Sequence, residues 1–238
     1  MKIGLIGFGK MGKAIQEIAQ QRGHQICWTI DSSNQHLLNH EMLKQANVAI
    51  EFTNPHSALQ NVSKCLEVGV PVVCGSTGWT SSLSTAENLC KEKNGSFIYA
   101  SNFSVGVNLF FELNKKLAAL MINQPNYEVI VEEIHHTQKK DAPSGTAISL
   151  AEQILEILDR KKQWVNDISD NPEDLEIISQ RIDPTPGTHS IKYSSVVDDI
   201  EIIHTAHNRT GFATGAVKAA EYIADKKGIF TMKDVLGL

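Results

Sequence analysis

Apolar and polar positions along this chain follow one rhythm up to about Phe103 and another after it. In the first part, "KIGLIGF", "HQICWTID", "VAIEFT", "VPVVCGST" and "GSFIYA" are short apolar runs of the kind that form buried parallel strands. Between them, "KMGKAIQEIAQQRG", "HSALQNVSKCLEVG" and "SLSTAENLCKEKNG" carry apolar residues at helical spacing. Strands alternating with helices predict a parallel sheet covered on both faces. After Phe103 a long helix is expected over "VGVNLFFELNKKLAALMI", followed by a strand, "YEVIVEEI". A polar cluster comes next, then a helix over "SGTAISLAEQILEILDR" and a polar stretch ending in "PTPGT". "THSIKYSSV" and "DDIEIIHTAH" alternate in polarity and should pair antiparallel. "TGFATGAVKAAEYIADKKG" reads as a helix suited to the first sheet. The expected class is therefore α/β, with one domain formed by residues 1–103 and 209–238 and a smaller one, 104–208, inserted before the last helix.

Composition narrows the function classes. Of the 238 residues, 42% are hydrophobic and 21% charged, and no apolar run approaches the ~20 residues of a membrane span. A soluble globular protein without membrane contact is expected. The net charge of -5 argues against a general nucleic-acid binder, which would show a basic excess. Met1-Lys2 leads straight into a strand pattern with no leader-like segment, so a cytoplasmic location is expected. Cys27, Cys65, Cys74 and Cys90 are dispersed in apolar company, which favours buried thiols over disulfides or zinc ligands.

The first chemical motif is Gly7-Phe8-Gly9-Lys10-Met11-Gly12, a G-x-G-x-x-G between strand and helix. Gly7 would permit a tight turn, Gly9 would let backbone approach a pyrophosphate, and Gly12 would let helix and strand pack closely. Asp31 follows 19 residues after Gly12, at the end of the second strand, where a carboxylate can accept both ribose hydroxyls. Together these point to a Rossmann-type sheet binding a dinucleotide. A tight turn with an unrelated surface aspartate is the alternative, and it leaves the joint spacing unexplained. "EFTNP", with Thr53, and "GSTGW", with Gly75, Ser76 and Thr77, end the third and fourth strands. Taken singly each could be a mere turn; at matching strand ends they favour a nicotinamide pocket.

The polar cluster, "EEIHHTQKKDAPSGT", concentrates different chemistry. His135 and His136, adjacent at the end of a strand, should point in roughly opposite directions and need not do the same job. Ser144, Gly145 and Thr146 begin a helix after Pro143. The amides of Gly145 and Thr146 and the Thr146 hydroxyl would form an anion cradle suited to a carboxylate, with Lys139 adding a cation. The plainer alternative is a capped helix after a polar loop. No metal is expected, because adjacent histidines chelate one ion awkwardly and no cysteine or third histidine lies nearby in sequence. His204 and His207 read as structural.

"EEIHHTQKKDAPSGTA" resembles the signature of the dihydrodipicolinate reductase family, Glu-x-His-His-x-x-Lys-x-Asp-Ala-Pro-Ser-Gly-Thr-Ala. The likeness extends in order through "EFTNP", "GSTGW", "ASNFSVGVN", "PGT", "HNRTGFATGAV" and "GIFTMKDVLGL". It implies a Rossmann domain with a smaller mixed α/β substrate and oligomerisation domain. It also implies reduction of a small cyclic dicarboxylate by NADH or NADPH in diaminopimelate and lysine biosynthesis, commonly by a homotetramer. By that resemblance His135 would be the general acid and Lys139 a substrate-binding or second proton-donating residue. His136, Gly145 and Thr146 would hold carboxylates. Gly75, Ser76 and Thr77, with Ser101, Asn102 and Phe103, would lie against the nicotinamide, and Arg209 near the hinge. This chain departs from the family in its shorter glycine loop, in Ser32 and Ser33 where many members place a basic residue, and in an abbreviated segment between "PGT" and "HNR".

The chemistry agrees with the resemblance. Hydride addition to a conjugated imine builds electron density on nitrogen and the adjacent carbon, and a nearby proton donor such as histidine lowers the barrier. Another nicotinamide-dependent dehydrogenase of a small amino or keto acid could share the front half, but it has no need of the His-His-x-x-Lys and Ser-Gly-Thr combination. A non-catalytic dinucleotide sensor should carry a DNA-reading or partner-docking element, and the sequence shows none.

Overall fold

The computed structural model describes residues 1–208 and 210–238. The elements run β1 (Lys2–Ile6), α1 (Lys10–Gln21), β2 (Gln25–Ile30), α2 (His40–Leu43), β3 (Val48–Glu51), α3 (Pro55–Glu67), β4 (Val72–Cys74), α4 (Leu83–Glu92) and β5 (Ser96–Tyr99). Then come α5 (Val105–Leu120), β6 (Glu128–His135), α6 (Gly145–Leu155), β7 (Gln163–Val165), β8 (Asp174–Arg181), β9 (Gly187–Ser194), β10 (Asp199–Ala206), α7 (Thr210–Ile223), β11 (Gly228–Phe230) and α8 (Met232–Leu236). They form two compact units, Met1–Val105 with Arg209–Leu238, and Gly106–Asn208.

The first unit is built on a six-stranded sheet, β2-β1-β3-β4-β5-β11, whose pairings are all parallel. Side chains alternate across a strand, so each of these apolar strands feeds two cores. Ile3, Leu5, Val48, Ile50 and Val73 join Ile15 and Ala19 of α1 and Ala216 and Ala220 of α7 on one face. Ile6, Ala49, Val72 and Cys74 join Val62 and Cys65 of α3 and Ala86 of α4 on the other. α7 lies close because Gly215 has no side chain; a Cβ there would stand 1.6 Å from the Phe103 carbonyl oxygen. Asn54 caps α3 through the amides of His56 and Ser57, with Pro55 in the first turn, which accounts for "NP" after β3. The sheet is Rossmann-like, and β1 pairs with both β2 and β3, so their carboxyl ends flank a topological switch point.

The second unit carries a mixed sheet, β10-β9-β6-β8-β7. β9 runs antiparallel to β6 and β10, whereas β8 runs parallel to β6 and β7. α5 and α6 cover one face through Phe110, Leu117, Leu150 and Ile154, packed on Val129, Val131, Leu175, Ile177, Ile191 and Tyr193. The polar stretch expected between α6 and "PTPGT" holds two strands, β7 and β8. β8, "DLEIISQR", buries only Leu175, Ile177 and the aspartate Asp174 while facing otherwise toward polar surroundings. All four cysteines are free thiols, Cys65, Cys74 and Cys90 being buried and Cys27 half-buried. Among the described residues no helix is long and apolar enough to cross a membrane.

Candidate active site

In the first unit the ends of β1, β2 and β3 open on a cavity of about 500 Å3, lined by Gly7, Phe8, Gly9, Asp31, Ser32, Ser33, Thr53, Asn54, Ser57 and Asn61 among others. The glycine loop divides its work. Gly7 has φ +98° and sits so near Phe52 that a Cβ would meet its carbonyl oxygen at 2.0 Å. A Cβ on Gly12 would meet the Gly7 carbonyl oxygen at 2.2 Å, so α1 packs onto the loop only with glycine there. A Cβ on Gly9 would meet nothing within 4 Å, which leaves its backbone open to a ligand. Asp31 accepts from the Ser33 amide at 2.8 Å and the Ser33 hydroxyl at 2.6 Å. Those bonds hold its carboxyl below the usual range.

Thr53 ties two strand ends together. Its amide donates to the Ser76 hydroxyl at 2.7 Å, and its own hydroxyl donates to the buried carboxylate of Glu51. Asn61 and the Cys74 thiol also face Glu51, at 3.4 and 3.0 Å. Burial and this carboxylate push the Cys74 thiol far up. Lys10, Met11, Gly12, Gly75, Ser76, Thr77, Ser101, Asn102 and Phe103 are not among the residues lining the cavity. Phe103 is buried in the core, its ring 5.7 Å from that of Phe52, and Asn102 accepts from the Ser104 amide at 2.9 Å. Arg209 lies outside the described residues. A dinucleotide fits the donor set: open loop backbone for phosphates, an ionised carboxylate for ribose hydroxyls, and Thr53, Ser57 and Asn61 for polar contacts deeper in the cavity.

In the second unit the strand register assembles the polar cluster. On β6, Glu133 stands opposite His189 of β9 on one side and Ser179 of β8 on the other, and His135, two residues on, stands opposite Arg181. Glu133 and His135 share a face because side chains repeat every second residue. Both are buried, whereas His136, just past the strand, is half-buried. The loop after His136 turns back through the Lys139 amide, which donates to the His136 carbonyl. Arg181 clamps that loop by donating to the carbonyls of Lys139 and Asp141. The Lys139 ammonium reaches both carboxylate oxygens of Asp141 at 2.8 Å. Ser144 then caps α6 through the Ala147 amide, and a Cβ on neighbouring Gly145 would meet nothing within 4 Å. Thr146, in the same first turn, is half-buried.

At the centre of this cluster Glu133 is fully buried. It accepts from the Ser144 amide at 3.1 Å to each oxygen, from the Ser179 hydroxyl at 2.8 Å and from Arg181 at 3.3 Å. His135 Nδ1 lies 3.4 Å and His189 Nε2 3.7 Å from the same carboxylate. Burial would raise the Glu133 pKa, but the adjacent His189 ring, the bonds from Ser144 and Ser179 and the nearby His135 outweigh it and hold the carboxyl well below its usual range. For His135 burial wins over the pull of Glu133. With the charges of His189, Lys139 and Arg181 acting in the same direction as burial, its pKa drops to about 4. Glu133, His135 and His189 place potential metal-ligand atoms within 4.8 Å of one another. The Arg181 guanidinium already serves that carboxylate, and a divalent ion would have to enter beside it.

The sequence assigns roles to His135, His136, Lys139, Gly145 and Thr146; the structure adds Glu133, Ser179, Arg181 and His189 beside His135, which sequence spacing alone does not single out. The third histidine lacking nearby in sequence is supplied across the sheet by β9.

Two family models cover the chain: residues 1–103 match "Dihydrodipicolinate reductase, N-terminus" and residues 106–236 match "Dihydrodipicolinate reductase, C-terminus". The chain belongs to the dihydrodipicolinate reductase family. A 4-hydroxy-tetrahydrodipicolinate reductase of Christiangramia forsetii is 50% identical over 237 residues, which is 99% of this chain and 98% of the relative. The corresponding reductase of Neisseria meningitidis serogroup A is 37% identical over 83% of this chain and 75% of its own length. Among solved structures, a dipicolinate-bound dihydrodipicolinate reductase from Paenisporosarcina superposes with a TM-score of 0.80 at 23% identity, covering 97% of both chains. A scyllo-inositol dehydrogenase from Lactobacillus casei shares the broader fold, with a TM-score of 0.58 at 13% identity. The dihydrodipicolinate reductase family uses NADH or NADPH, and its N-terminal domain binds the dinucleotide.

Proposed function

We propose that this chain reduces 4-hydroxy-tetrahydrodipicolinate, or its dehydrated form dihydrodipicolinate, to tetrahydrodipicolinate with NADH or NADPH, as a step in diaminopimelate and lysine biosynthesis. The observation carrying this reading is the family match in order over nearly the whole chain, with 50% identity to a reductase of that name.

Gly7, Phe8, Gly9 and Asp31, with Lys10, Met11 and Gly12 shaping the loop, hold the dinucleotide. Thr53, Gly75, Ser76, Thr77, Ser101, Asn102, Phe103 and Arg209 form or support the nicotinamide end. When bound, the reduced nicotinamide supplies the hydride. Gly145 and Thr146, at the positive end of α6, take one substrate carboxylate. His136 and Lys139 grip the second, and Lys139 must exchange Asp141 for the substrate to do so. His135 delivers the proton. Because burial favours its neutral form, the ring takes up a proton only when substrate carboxylates bring negative charge beside it. Lys139 is the second possible donor.

A cytoplasmic homotetramer fits this reading. The face of the mixed sheet away from α5 and α6 presents Ile203, and the β10 edge and its turn expose Val196, Val197 and Ile200, apolar groups that a second copy would cover. The deciding assay is oxidation of NADH and NADPH in the presence of freshly generated product of the preceding synthase. No oxidation above the enzyme-free rate would remove the proposed activity.

A further inference from the structure

We propose that Glu133 is a positioning residue for this reaction: its buried carboxylate fixes the His135 ring by Nδ1 and, through the Ser144 amide, fixes the first turn of α6. The inference deepens the reading above and rests on its assignment of His135 as proton donor.

The geometry is that of a hub. Glu133 is fully buried, so its charge must be answered inside the protein. The Ser144 amide, the Ser179 hydroxyl and Arg181 answer it from three segments. What remains is the side toward His135, whose Nδ1 is 3.4 Å from Glu133 Oε2 and has no hydrogen-bond partner of its own among the described residues. Among the described residues a proton on Nδ1 therefore has one nearby acceptor, Glu133. Hydrogen bonds of this kind are often long without substrate and tighten when it binds. With Nδ1 turned to Glu133, the opposite nitrogen, Nε2, lies beside Gly187, where an added Cβ would stand only 3.2 Å away. Gly187, the first residue of β9, thus leaves room for the Nε2 edge of the ring that must deliver the proton.

The same carboxylate reaches the anion cradle. Both of its oxygens accept from the Ser144 amide, immediately before Gly145 and Thr146. His189 completes the circuit, since its Nε2 is 3.1 Å from the Ser144 hydroxyl and its ring meets that of His135 edge-on at 5.0 Å. The proton-delivering ring and the carboxylate-binding helix end are accordingly held by one group. The charged and titratable groups facing His135 are Glu133 on its own strand, His189 from β9, Arg181 from β8 and Lys139 from the following loop. Of these Glu133 alone favours the imidazolium. The logic parallels the aspartate of a serine-protease triad, which orients a histidine without itself reacting.

The test combines a tautomer measurement with kinetics. Long-range proton–nitrogen NMR on protein labelled with 15N-histidine, with His135 assigned by the signal lost in His135→Gln, should show neutral His135 protonated on Nδ1. Protonation on Nε2 in the wild-type protein would overturn the proposal, whether or not any variant folds. In Glu133→Gln that preference should disappear and kcat should fall at least about tenfold, with NADH affinity unchanged. Any acid limb due to His135 should move to lower pH, because a carboxylate that favours the imidazolium has been removed. Glu133→Asp should restore part of kcat. Glu133→Gln should add little to the loss of kcat in a His135→Gln background, since in proton delivery the two act as one unit. A folded Glu133→Gln protein with normal kcat, or a loss fully additive with His135→Gln, sinks the idea. If the wild-type enzyme reduces nothing, the proposed activity fails, and the tautomer still decides the role of Glu133.

Discussion

His135 cannot be an ordinary histidine donor, and its pH dependence tests that. Burial pushes its pKa down to about 4 in the unliganded protein. At pH 7 about one molecule in a thousand then carries the imidazolium, a state costing roughly 4 kcal/mol to populate. The profile of kcat/KM reports groups in the free enzyme, whereas that of kcat reports them in the substrate complex. If His135 supplies the proton, kcat/KM should climb about tenfold for each unit of pH lowered between 8 and 5. The break in kcat should lie at higher pH, because two substrate carboxylates beside the ring favour its charged form. His135→Gln should flatten the kcat/KM limb and lower kcat by about 100-fold or more. Steady-state profiles over pH 5 to 8 for both proteins, beside single-turnover hydride transfer, settle the matter. A level wild-type kcat/KM, or a slope that survives in His135→Gln, would refute the reasoning and hand the proton to Lys139.

Thr146→Val keeps the shape of the first turn of α6 but removes a hydroxyl assigned to a substrate carboxylate, so substrate affinity should drop by roughly 1.5 to 3 kcal/mol while calorimetric NADH binding holds; equal weakening of both would move this turn out of the substrate site. Asp31, exposed and kept ionised by Ser33, should repel a ribose 2'-phosphate, so NADH should serve at least as well as NADPH, and a large NADPH preference in kcat/KM contradicts that. Gly12→Ala would place a Cβ 2.2 Å from the Gly7 carbonyl oxygen, and the overpacking should cost about 1 to 3 kcal/mol and weaken NADH binding; an unchanged Tm and Kd would show that the loop can give way. Acid should destabilise the protein in two stages. The unfolded chain protonates His135 first as pH falls from about 6.5 toward 4, and the stability lent by ionised Glu133 is lost below the ordinary carboxylate range. Burial lowers the His204 pKa as well, so His135→Gln should shrink rather than abolish the upper stage in a plot of Tm against pH, and an unaltered plot argues against a buried neutral ring.

Strands β1, β3, β4 and β5 were legible because each is buried on both faces and so reads as a short apolar run bounded by turns, and edge strand β2 because its apolar residues, with Trp28 and Ile30 buried among them, still form such a run. The same rule failed for β8. Its inward residues are Leu175 and Ile177, flanked by acids, a serine, a glutamine and an arginine, and half-buried strands of that composition do not stand out from a polar loop. Missing β8 had a chemical consequence, because Ser179 and Arg181 sit on it. α7 was legible both as a helix and as part of the first sheet, since its small residues at helical spacing suit a tight fit over Phe103.

The site divides along a similar line. Candidate residues on one contiguous segment, the glycine loop or the turn opening α6, stand out by spacing alone. Residues brought together by strand pairing do not, because register is a tertiary fact: nothing local in "GTHSIKYS" says that His189 will stand beside Glu133. One link was nevertheless available in "EEIHH". In a strand, positions two apart share a face, so Glu133 was bound to lie on the side of His135, not of His136. An acid placed one pleat below a histidine, on a face that alternation marks as buried, cannot be left to water. It must find donors within the protein, and the donors within reach are the strand neighbours and the helix end proposed above to take a substrate carboxylate. The buried charge thereby makes the proposed proton donor and the proposed anion cradle parts of one structure, and for that reason their perturbations should not be independent.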